Sequence, residues 1–161
     1  MGNEKTIVVI GAGVLGLTTA LSIQQRLGRP FTVLLIARDF PGSTSVNYAS
    51  PWAGAHYRPV PGQSPQIATE AQWAKRTYES FKKIAAEEPA AGVTFLEGIE
   101  HFENPPPEYL DVVGNPDSPY AHLDGLHELS TEELPPDVKF GIRYWTYCVN
   151  SPVYCAYLLQ L

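Results

Sequence analysis

The first 36 residues contain three apolar segments, whose spacing predicts a strand, a helix and a second strand. Ile7 to Ile10 are consecutive apolar residues, mostly β-branched, which is typical of a strand buried on both faces. Phe31 to Ile36 form a second apolar run of the same kind. Between them, residues at intervals of four predict one face of a helix that ends at Gly28: Leu15, Thr19, Ile23 and Leu27. These elements are expected to form a βαβ unit with parallel strands.

A glycine-rich turn, Gly11-Ala12-Gly13-Val14-Leu15-Gly16, connects the first strand to the helix. Glycines at this spacing, after a strand and before a helix, are typical of a turn that binds a dinucleotide. Gly11 is expected to make the turn, Gly13 to leave room for a pyrophosphate, and Gly16 to let the helix lie close to the sheet. Backbone N–H groups at the helix N-terminus would then face the phosphates. The alternative is a glycine turn without a ligand.

Two charged residues, Arg38 and Asp39, follow the second strand. Asp39 comes 23 positions after Gly16, near where dinucleotide-binding folds place a carboxylate on the adenosine ribose hydroxyls. An arginine at this place can instead accept a 2′-phosphate, so the role of Arg38 is open. The alternative for both residues is a solvated ion pair at the strand end.

Residues 40–63 form a long loop that we expect to be ordered and functional, because its aromatic side chains have surface to bury. Ser43, Thr44 and Ser45 could donate hydroxyl groups to phosphate oxygens. The small residues at 53–55 would let a flat ring lie against the backbone.

A helix is predicted to follow the loop, with Ser64 as its cap, Pro65 at its first position and its end near Glu87. Trp73 on this helix is expected to be in the core. Its apolar face is expected to comprise Ile67, Ala71, Ala74, Tyr78, Phe81 and Ile84.

Beyond residue 90, the pattern predicts strands, a proline-rich region and a last helix. Val93–Leu96 and Ile99–Phe102 are predicted to be paired short strands around Glu97-Gly98. Phe140 to Val149 form another predicted strand. Ser151 is expected to begin a helix with one apolar face, formed by Val153, Tyr157, Leu158 and Leu161.

Composition excludes several functional classes. Eleven basic residues against 17 acidic ones give a formal net charge of −6, which disfavours a nucleic-acid partner. No apolar run approaches the roughly 20 residues of a membrane span, and the first strand begins too early to leave room for a signal peptide. Cys148 and Cys155 are too few for a disulfide framework, so we expect packed thiols and a reducing compartment.

Two other sets of residues could suggest a metal site and a serine nucleophile. His122, Asp124, His127 and Glu128 could suggest a metal site, but they lie in a region punctuated by proline and glycine, with no helical register joining them. We therefore expect no metal site. Ser151 has no nucleophile-elbow glycines around it, so a serine hydrolase is not supported.

Three segments together resemble the D-amino acid oxidases, and the fungal branch most. They are the strand and glycine turn over 8–17, Ala37-Arg-Asp-Phe-Pro41, and Ala49-Ser-Pro-Trp-Ala-Gly-Ala55. Weaker similarity continues through Gly98 to Phe102 and in Tyr154-Cys-Ala-Tyr-Leu158. The specific part is confined to positions 7–60.

The resemblance implies an α/β fold, in which a Rossmann-like FAD-binding domain is interleaved with a mixed α+β substrate domain. Residues 1–90 would start the FAD-binding domain, 91–150 would start the substrate domain, and 151–161 would begin a helix that returns to the first. Because only two parallel strands are secure, we expect the chain to be the front portion of a longer protein. A natural protein of 161 residues is the alternative.

The same resemblance implies the site residues. The backbone of Gly11–Gly16 would hold the pyrophosphate of FAD, Arg38 and Asp39 would flank the adenosine, and the hydroxyl groups at 43–45 would approach the phosphate and ribityl region. Ala53, Gly54 and Ala55 would lie beside the isoalloxazine ring, with His56 at its edge. Arg58 or Val60 would help line the substrate pocket, although a solvent-facing Arg58 is the alternative. No residue of this chain is assigned as catalytic.

The implied reaction oxidises a D-amino acid to an imino acid, which water hydrolyses to a 2-oxo acid and ammonia, while dioxygen becomes hydrogen peroxide. The partners would be a D-amino acid and dioxygen, with neither nucleic acid nor membrane; a homodimer is compatible with the family. The family also implies a peroxisomal location, although Leu-Gln-Leu at the end is no targeting tripeptide. Alternatives are a D-aspartate or glycine oxidase, or a non-catalytic domain that senses a nicotinamide dinucleotide.

Overall fold

The structure is a computed structural model that describes residues 5–28, 30–54, 56–62 and 64–161. The chain forms two compact units. The first comprises Met1–Ala55, Glu88–Gly92 and Val149–Leu161, and the second comprises His56–Glu87 and Val93–Cys148. The long helix before residue 90 belongs to the second unit, together with most of residues 93–148.

The first unit contains the predicted βαβ start. Strand β1 (Lys5–Ile10) and strand β2 (Phe31–Ile36) are parallel and pair from Lys5↔Phe31 to Ile10↔Ile36. Helix α1 (Val14–Leu27) connects them and ends at Gly28, as its pattern predicts. Helix α3 (Ser151–Gln160) packs beside α1 in the same unit.

The two parallel strands are not buried on both faces, contrary to our prediction. Ile10 is 85% exposed, and Val8, Leu34 and Ile36 are each about half exposed. Among the described residues, the sheet of this unit has only these two strands, so one helical layer covers one face. An apolar strand pattern shows that both faces of the sheet are suited to burial against other elements. In the described part of the chain, no element covers the second face.

The buried sides of α1 and α3 also differ from the predicted faces. On α1, Leu17 is buried, whereas Leu15 of the predicted face is 81% exposed. On α3, Leu158 is buried as expected, together with Tyr154 and Cys155, while Val153 and Leu161 are exposed. A spacing of three or four identifies a stripe, but tertiary packing decides which neighbouring stripe is covered.

The second unit places one long helix against a three-stranded sheet. Helix α2 (Pro65–Glu87) begins and ends where predicted, with the Ser64 hydroxyl accepting from the Ile67 N–H at 3.2 Å. The sheet has the order β3–β5–β4, so that β5 is central. Its strands are β3 (Val93–Phe102), β4 (His127–Glu128) and β5 (Phe140–Val149), and β4 is antiparallel to β5.

Two predictions for this unit are wrong. Residues 93–102 form one continuous strand, so Glu97-Gly98 is not a turn between two strands. A Cβ at Gly98 would lie 3.0 to 3.2 Å from atoms of Thr146 and Tyr144 on β5, so this glycine serves close strand packing. Trp73, expected in the core, is 61% exposed.

Tyrosines dominate the core of the second unit. Tyr78 and Tyr120 are fully buried, and Tyr144 is 1% exposed. Their rings contact further aromatic groups edge-on, as in the pairs Tyr78–Phe95 and Tyr120–Tyr144. Each buried hydroxyl group therefore needs a hydrogen-bond partner inside the unit.

Two further observations bear on the environment of the chain. None of the helices in the described ranges combines the length and the apolar character that crossing a bilayer requires. Cys148 and Cys155 are both free thiols, the first half-buried and the second buried.

Candidate functional site: a glycine-rich turn and a buried carboxylate cluster

The glycine-rich turn lies at the carboxyl end of β1 and leads directly into α1. Gly11 has a φ of +102°, a value that favours glycine, and its N–H donates to the carbonyl of Ile36 on β2. A Cβ at Gly16 would overlap the carbonyl oxygen of Gly11. The turn therefore requires glycine at both ends, since one must reverse the chain and the other must let the helix approach it.

The space beside Gly13 holds a side chain from another part of the unit. A Cβ at Gly13 would lie 2.7 Å from the Oγ of Ser50, and this oxygen accepts the N–H of Val14 at 2.9 Å. The room that we expected Gly13 to leave for a pyrophosphate is thus shared with Ser50. Sequence reasoning missed Ser50, because nothing in a linear pattern brings positions 36 residues apart together.

A second side chain from the same loop also contacts the turn. The hydroxyl of Tyr48, a residue only 5% exposed, donates to the carbonyl of Ala12 at 2.7 Å. Burial raises the pKa of Tyr48 to about 12, with smaller contributions from the nearby Cys155 thiol and Asp39. Tyr48 is therefore a neutral hydrogen-bond donor at physiological pH.

Asp39 is surrounded by hydrogen-bond donors at the end of β2. Its Oδ2 accepts from the Nε of Arg38 at 2.8 Å, and its Oδ1 accepts from the Ser43 hydroxyl at 3.0 Å. The Arg38 contact is the largest cause of a lowered Asp39 pKa, with Ser43 adding to it, so the carboxylate is ionised at neutral pH. Each carboxylate oxygen has a further lone pair that can accept from a ribose hydroxyl.

The other loop residues named from the sequence lie close to this cluster or along the loop. Ser43 also accepts the Ser45 N–H, Thr44 is exposed, and the Ser45 hydroxyl accepts the Asn47 N–H. Ala53 and Gly54 are exposed, and a Cβ at Gly54 would meet open space. Ala55 lies outside the described residues. Val14 and Leu15, at the start of α1, are exposed as well.

In the second unit, Arg58 and Val60 line one small cavity of about 270 Å³. Its other walls come from Tyr57 and Pro59 of the same loop, from the first turns of α2 and from Pro119, and they are mainly apolar apart from Tyr57 and Glu70. His56 pairs with Cys148 on the opposite strand in an antiparallel bridge.

Arg58 is held by partners within the same unit. Its Nε lies 2.9 Å from Oε2 of Glu100, and its Nη2 donates to the Tyr109 hydroxyl at 3.1 Å. The Tyr109 contact is the main cause that raises the Arg58 pKa, with the Glu100 carboxylate contributing. The guanidinium is half exposed, but its charge is balanced by a nearby carboxylate.

Glu100 is the centre of this buried cluster, and sequence reasoning missed it. It is 8% exposed, and its Oε1 accepts from the hydroxyls of Tyr144 at 2.6 Å and Tyr120 at 2.8 Å. Its Oε2 forms the ion pair with Arg58 but makes no hydrogen bond of good geometry among the described residues. Burial, aided by these hydrogen bonds to Glu100, raises the pKa of both tyrosines.

The four candidate metal ligands are separately engaged, and Glu128 lies on β4 opposite Ile142 of β5. His122 contacts the rings of Tyr57 and Tyr78, while Asp124 pairs with Lys82 and His127 bonds the Gly125 carbonyl. Within the described ranges, no three metal-ligating side chains are placed to share an ion.

Known proteins with similar sequences cover nearly the whole chain. A family model described as FAD dependent oxidoreductase matches residues 6–161. The chain belongs to this FAD-dependent oxidoreductase family. The family match favours a flavin over the nicotinamide alternative.

Three relatives illustrate the similarity. A D-aspartate oxidase of Talaromyces thermophilus is 39% identical over 96% of this chain and 46% of its own length. D-amino-acid oxidases of Fusarium vanettenii and Schizosaccharomyces pombe are 34% and 31% identical, over 97% and 99% of this chain and 43% of their own lengths. The chain thus spans less than half the length of these relatives.

The residues of the first unit fit the dinucleotide part of FAD. The glycine turn lies at a helix N-terminus where the Gly13 position supplies no side-chain cap of its own. Asp39 offers an ionised carboxylate at the end of the neighbouring strand. A parallel βαβ unit binds a diphosphate and a ribose at these two places.

Proposed function

We propose that the protein containing this chain is an FAD-dependent oxidase of D-amino acids. The substrate would lose two electrons and two protons, from its Cα–H and its amino group, to become an imino acid. Water would hydrolyse the imino acid to a 2-oxo acid and ammonia. Dioxygen would take up the two electrons and two protons to form hydrogen peroxide.

The single observation that carries the proposal is the glycine-rich turn with Asp39 at the next strand end, in a chain of this family. The names of the three relatives, one D-aspartate oxidase and two D-amino-acid oxidases, support the substrate class. FAD, when bound, accepts electrons from the substrate and transfers them to dioxygen.

The residues of this chain would bind and orient rather than transfer protons. The Gly11–Gly16 backbone, with Val14 and Leu15 at the start of α1, would hold the diphosphate, and Asp39 the adenosine ribose. The hydroxyl groups of Ser43, Thr44 and Ser45 would approach the phosphate and ribityl region of FAD. The isoalloxazine ring would lie beside Ala53, Gly54 and His56. Binding and orientation of this kind lower the barrier by fixing the reacting groups together.

The full-length protein provides a direct test. We expect absorption bands near about 450 nm that bleach without oxygen when D-alanine or D-aspartate is added, and hydrogen peroxide when air is admitted. L-alanine is the matched control and should leave the bands unchanged. A colourless protein, or a yellow one that no D-amino acid bleaches, would refute the proposal.

A preference for D-aspartate is the second candidate, and it is favoured by the 39% identical relative of that name. The ratio of kcat/KM for D-aspartate to that for D-alanine decides between the two preferences. Glycine belongs in the same panel, because a glycine oxidase is the remaining alternative. Peroxisomal location and a homodimer are part of the proposal, and fluorescence imaging and light scattering test them.

A further inference from the structure

Two side chains of one short segment, Tyr48–Ser50, hold the glycine-rich turn at two consecutive points. Tyr48 donates its hydroxyl proton to the Ala12 carbonyl, and the Ser50 oxygen accepts the Val14 N–H. The segment therefore binds one carbonyl and one N–H group of the turn, each through a residue that lies 36 positions later in the sequence. The segment continues into a 3₁₀ turn over Ser50–Trp52.

Ser50 performs the work of a helix N-cap without occupying that position. An N-cap side chain normally accepts an N–H of the first helical turn, but Gly13 has no side chain and an extended backbone. Ser50 supplies the missing oxygen from outside, and a side chain at Gly13 would collide with it. The Ser50 hydroxyl also keeps its own proton, which it can donate to a further acceptor.

Tyr48 fixes the other side of the turn. The residue whose carbonyl it contacts, Ala12, is 2% exposed, so without Tyr48 this oxygen would be buried with one partner fewer. The buried thiol of Cys155 on α3 is close enough to Tyr48 to contribute to the raised pKa of its hydroxyl. The turn is thus held in one conformation by buried contacts.

We propose that Tyr48 and Ser50 are positioning residues that keep the glycine-rich turn in its diphosphate-binding conformation before the cofactor arrives. This inference rests on the proposed function, since it assumes that the cofactor is FAD. Its consequence is specific: loss of the Ser50 hydroxyl weakens FAD binding by the apoprotein and accelerates hydrogen exchange of the Val14 amide before FAD binds.

The test compares Ser50→Ala, Ser50→Thr and Tyr48→Phe with the unchanged full-length protein. Ser80→Ala is the matched control, because the Ser80 hydroxyl bonds a carbonyl within the exposed face of α2. The measurements are the dissociation constant of FAD from the quenching of its fluorescence, the Tm of the apoprotein, and the hydrogen exchange of the Val14 amide in the apoprotein.

We expect Ser50→Ala to weaken FAD binding about five- to tenfold and to accelerate Val14 exchange, as the loss of one hydrogen bond would. Ser50→Thr should bind FAD within about twofold of the unchanged protein, because the hydroxyl is retained. Tyr48→Phe should weaken FAD binding about threefold or more. The apoprotein Tm of Ser50→Ala should fall by no more than about 4 °C, because one exposed hydrogen bond is lost.

Two results would overturn the inference alone. One is FAD binding by Ser50→Ala and Tyr48→Phe that equals that of Ser80→Ala. The other is exchange of the Val14 amide in the Ser50→Ala apoprotein that is no faster than in the unchanged apoprotein, which would show that Ser50 does not hold the turn before FAD binds. If the unchanged protein binds no FAD, the proposed function fails as well, so the two failures are distinguishable.

Discussion

The Nε of Arg58 lies 2.9 Å from the Oε2 of Glu100, and this contact balances the charge of a cation that lines a cavity. The two residues are on a loop and on β3, within the second unit. Glu100 is also the acceptor for two tyrosine hydroxyls, so its carboxylate joins the loop to the sheet core. The loop conformation at Arg58 therefore depends on a buried acid 42 residues later.

Replacement of Glu100 by glutamine is expected to lower the free energy of unfolding by about 1–2 kcal/mol. The amide oxygen still accepts from tyrosine, but the amide N–H₂ group then faces the Arg58 guanidinium. Half exposure of Arg58 keeps the loss at this level, because solvent screens its charge. Urea denaturation measures the change.

Glu97→Gln is the control for this measurement. Glu97 lies on the same strand, is 46% exposed and stands 3.8 Å from Arg143, so its loss should cost less than about 0.5 kcal/mol. Equal stabilities of Glu97→Gln and Glu100→Gln would contradict the central role of Glu100.

Replacement of Arg58 by alanine is expected to raise KM by a similar factor for acidic and for neutral D-amino acids. Glu100 already balances the guanidinium, so Arg58 would contribute shape to the cavity and little unpaired charge. Steady-state kinetics with D-aspartate and D-alanine measures both factors. Arg76→Ala, on the exposed side of α2, is the control.

A selective rise in KM for D-aspartate would show instead that the substrate senses the Arg58 charge. Unchanged KM values for both substrates would remove Arg58 from the pocket.

Much of the fold could be predicted because it depends on local chemistry. The βαβ start, the cap of α2 by Ser64 and the strand over 140–149 follow from periodicity and from residues adjacent in sequence. Gly98 was misread because a glycine between two apolar runs suggests a turn equally well. The close packing at Gly98 is evident only from its distances to Thr146 and Tyr144 on β5.

The same limit applies to the candidate site. The glycine positions and Asp39 carry their signal in their spacing, but Ser50 and Glu100 matter through partners 20 to 44 residues away. Trp73 fails for a related reason, since helical spacing identifies a stripe without saying which stripe is covered. Long-range contacts are not contained in any local pattern.

Replacement of Gly16 by alanine is expected to destabilise the apoprotein by more than about 2 kcal/mol and to abolish flavin binding. The added methyl group would overlap the Gly11 carbonyl, and backbone cannot move aside as a flexible side chain can. Thermal unfolding and visible absorption measure the two effects.

Gly54→Ala is the control for Gly16→Ala, because its added methyl group meets open space. Its apoprotein stability should stay within about 0.5 kcal/mol of the unchanged protein. Comparable stability losses in both variants would contradict the close approach of α1 to the turn.

His122 is expected to make stability fall as the pH drops below about 7. Burial is the main cause that lowers the pKa of this histidine below its ordinary 6.5, and the nearby Lys75 adds to the effect. The unfolded chain therefore takes up a proton near pH 6.5 that the folded protein takes up only at lower pH. Stability should be full above pH 7 and should fall as the pH drops through 6.5, until the folded histidine is protonated too.

Replacement of His122 by glutamine tests this origin, since glutamine does not titrate. We expect a lower stability above pH 7, because the contacts with the rings of Tyr57 and Tyr78 are lost, but a flatter profile below that pH. Chemical denaturation at a series of pH values measures both features. A variant whose stability still falls as steeply as that of the unchanged protein would assign the pH dependence to groups other than His122.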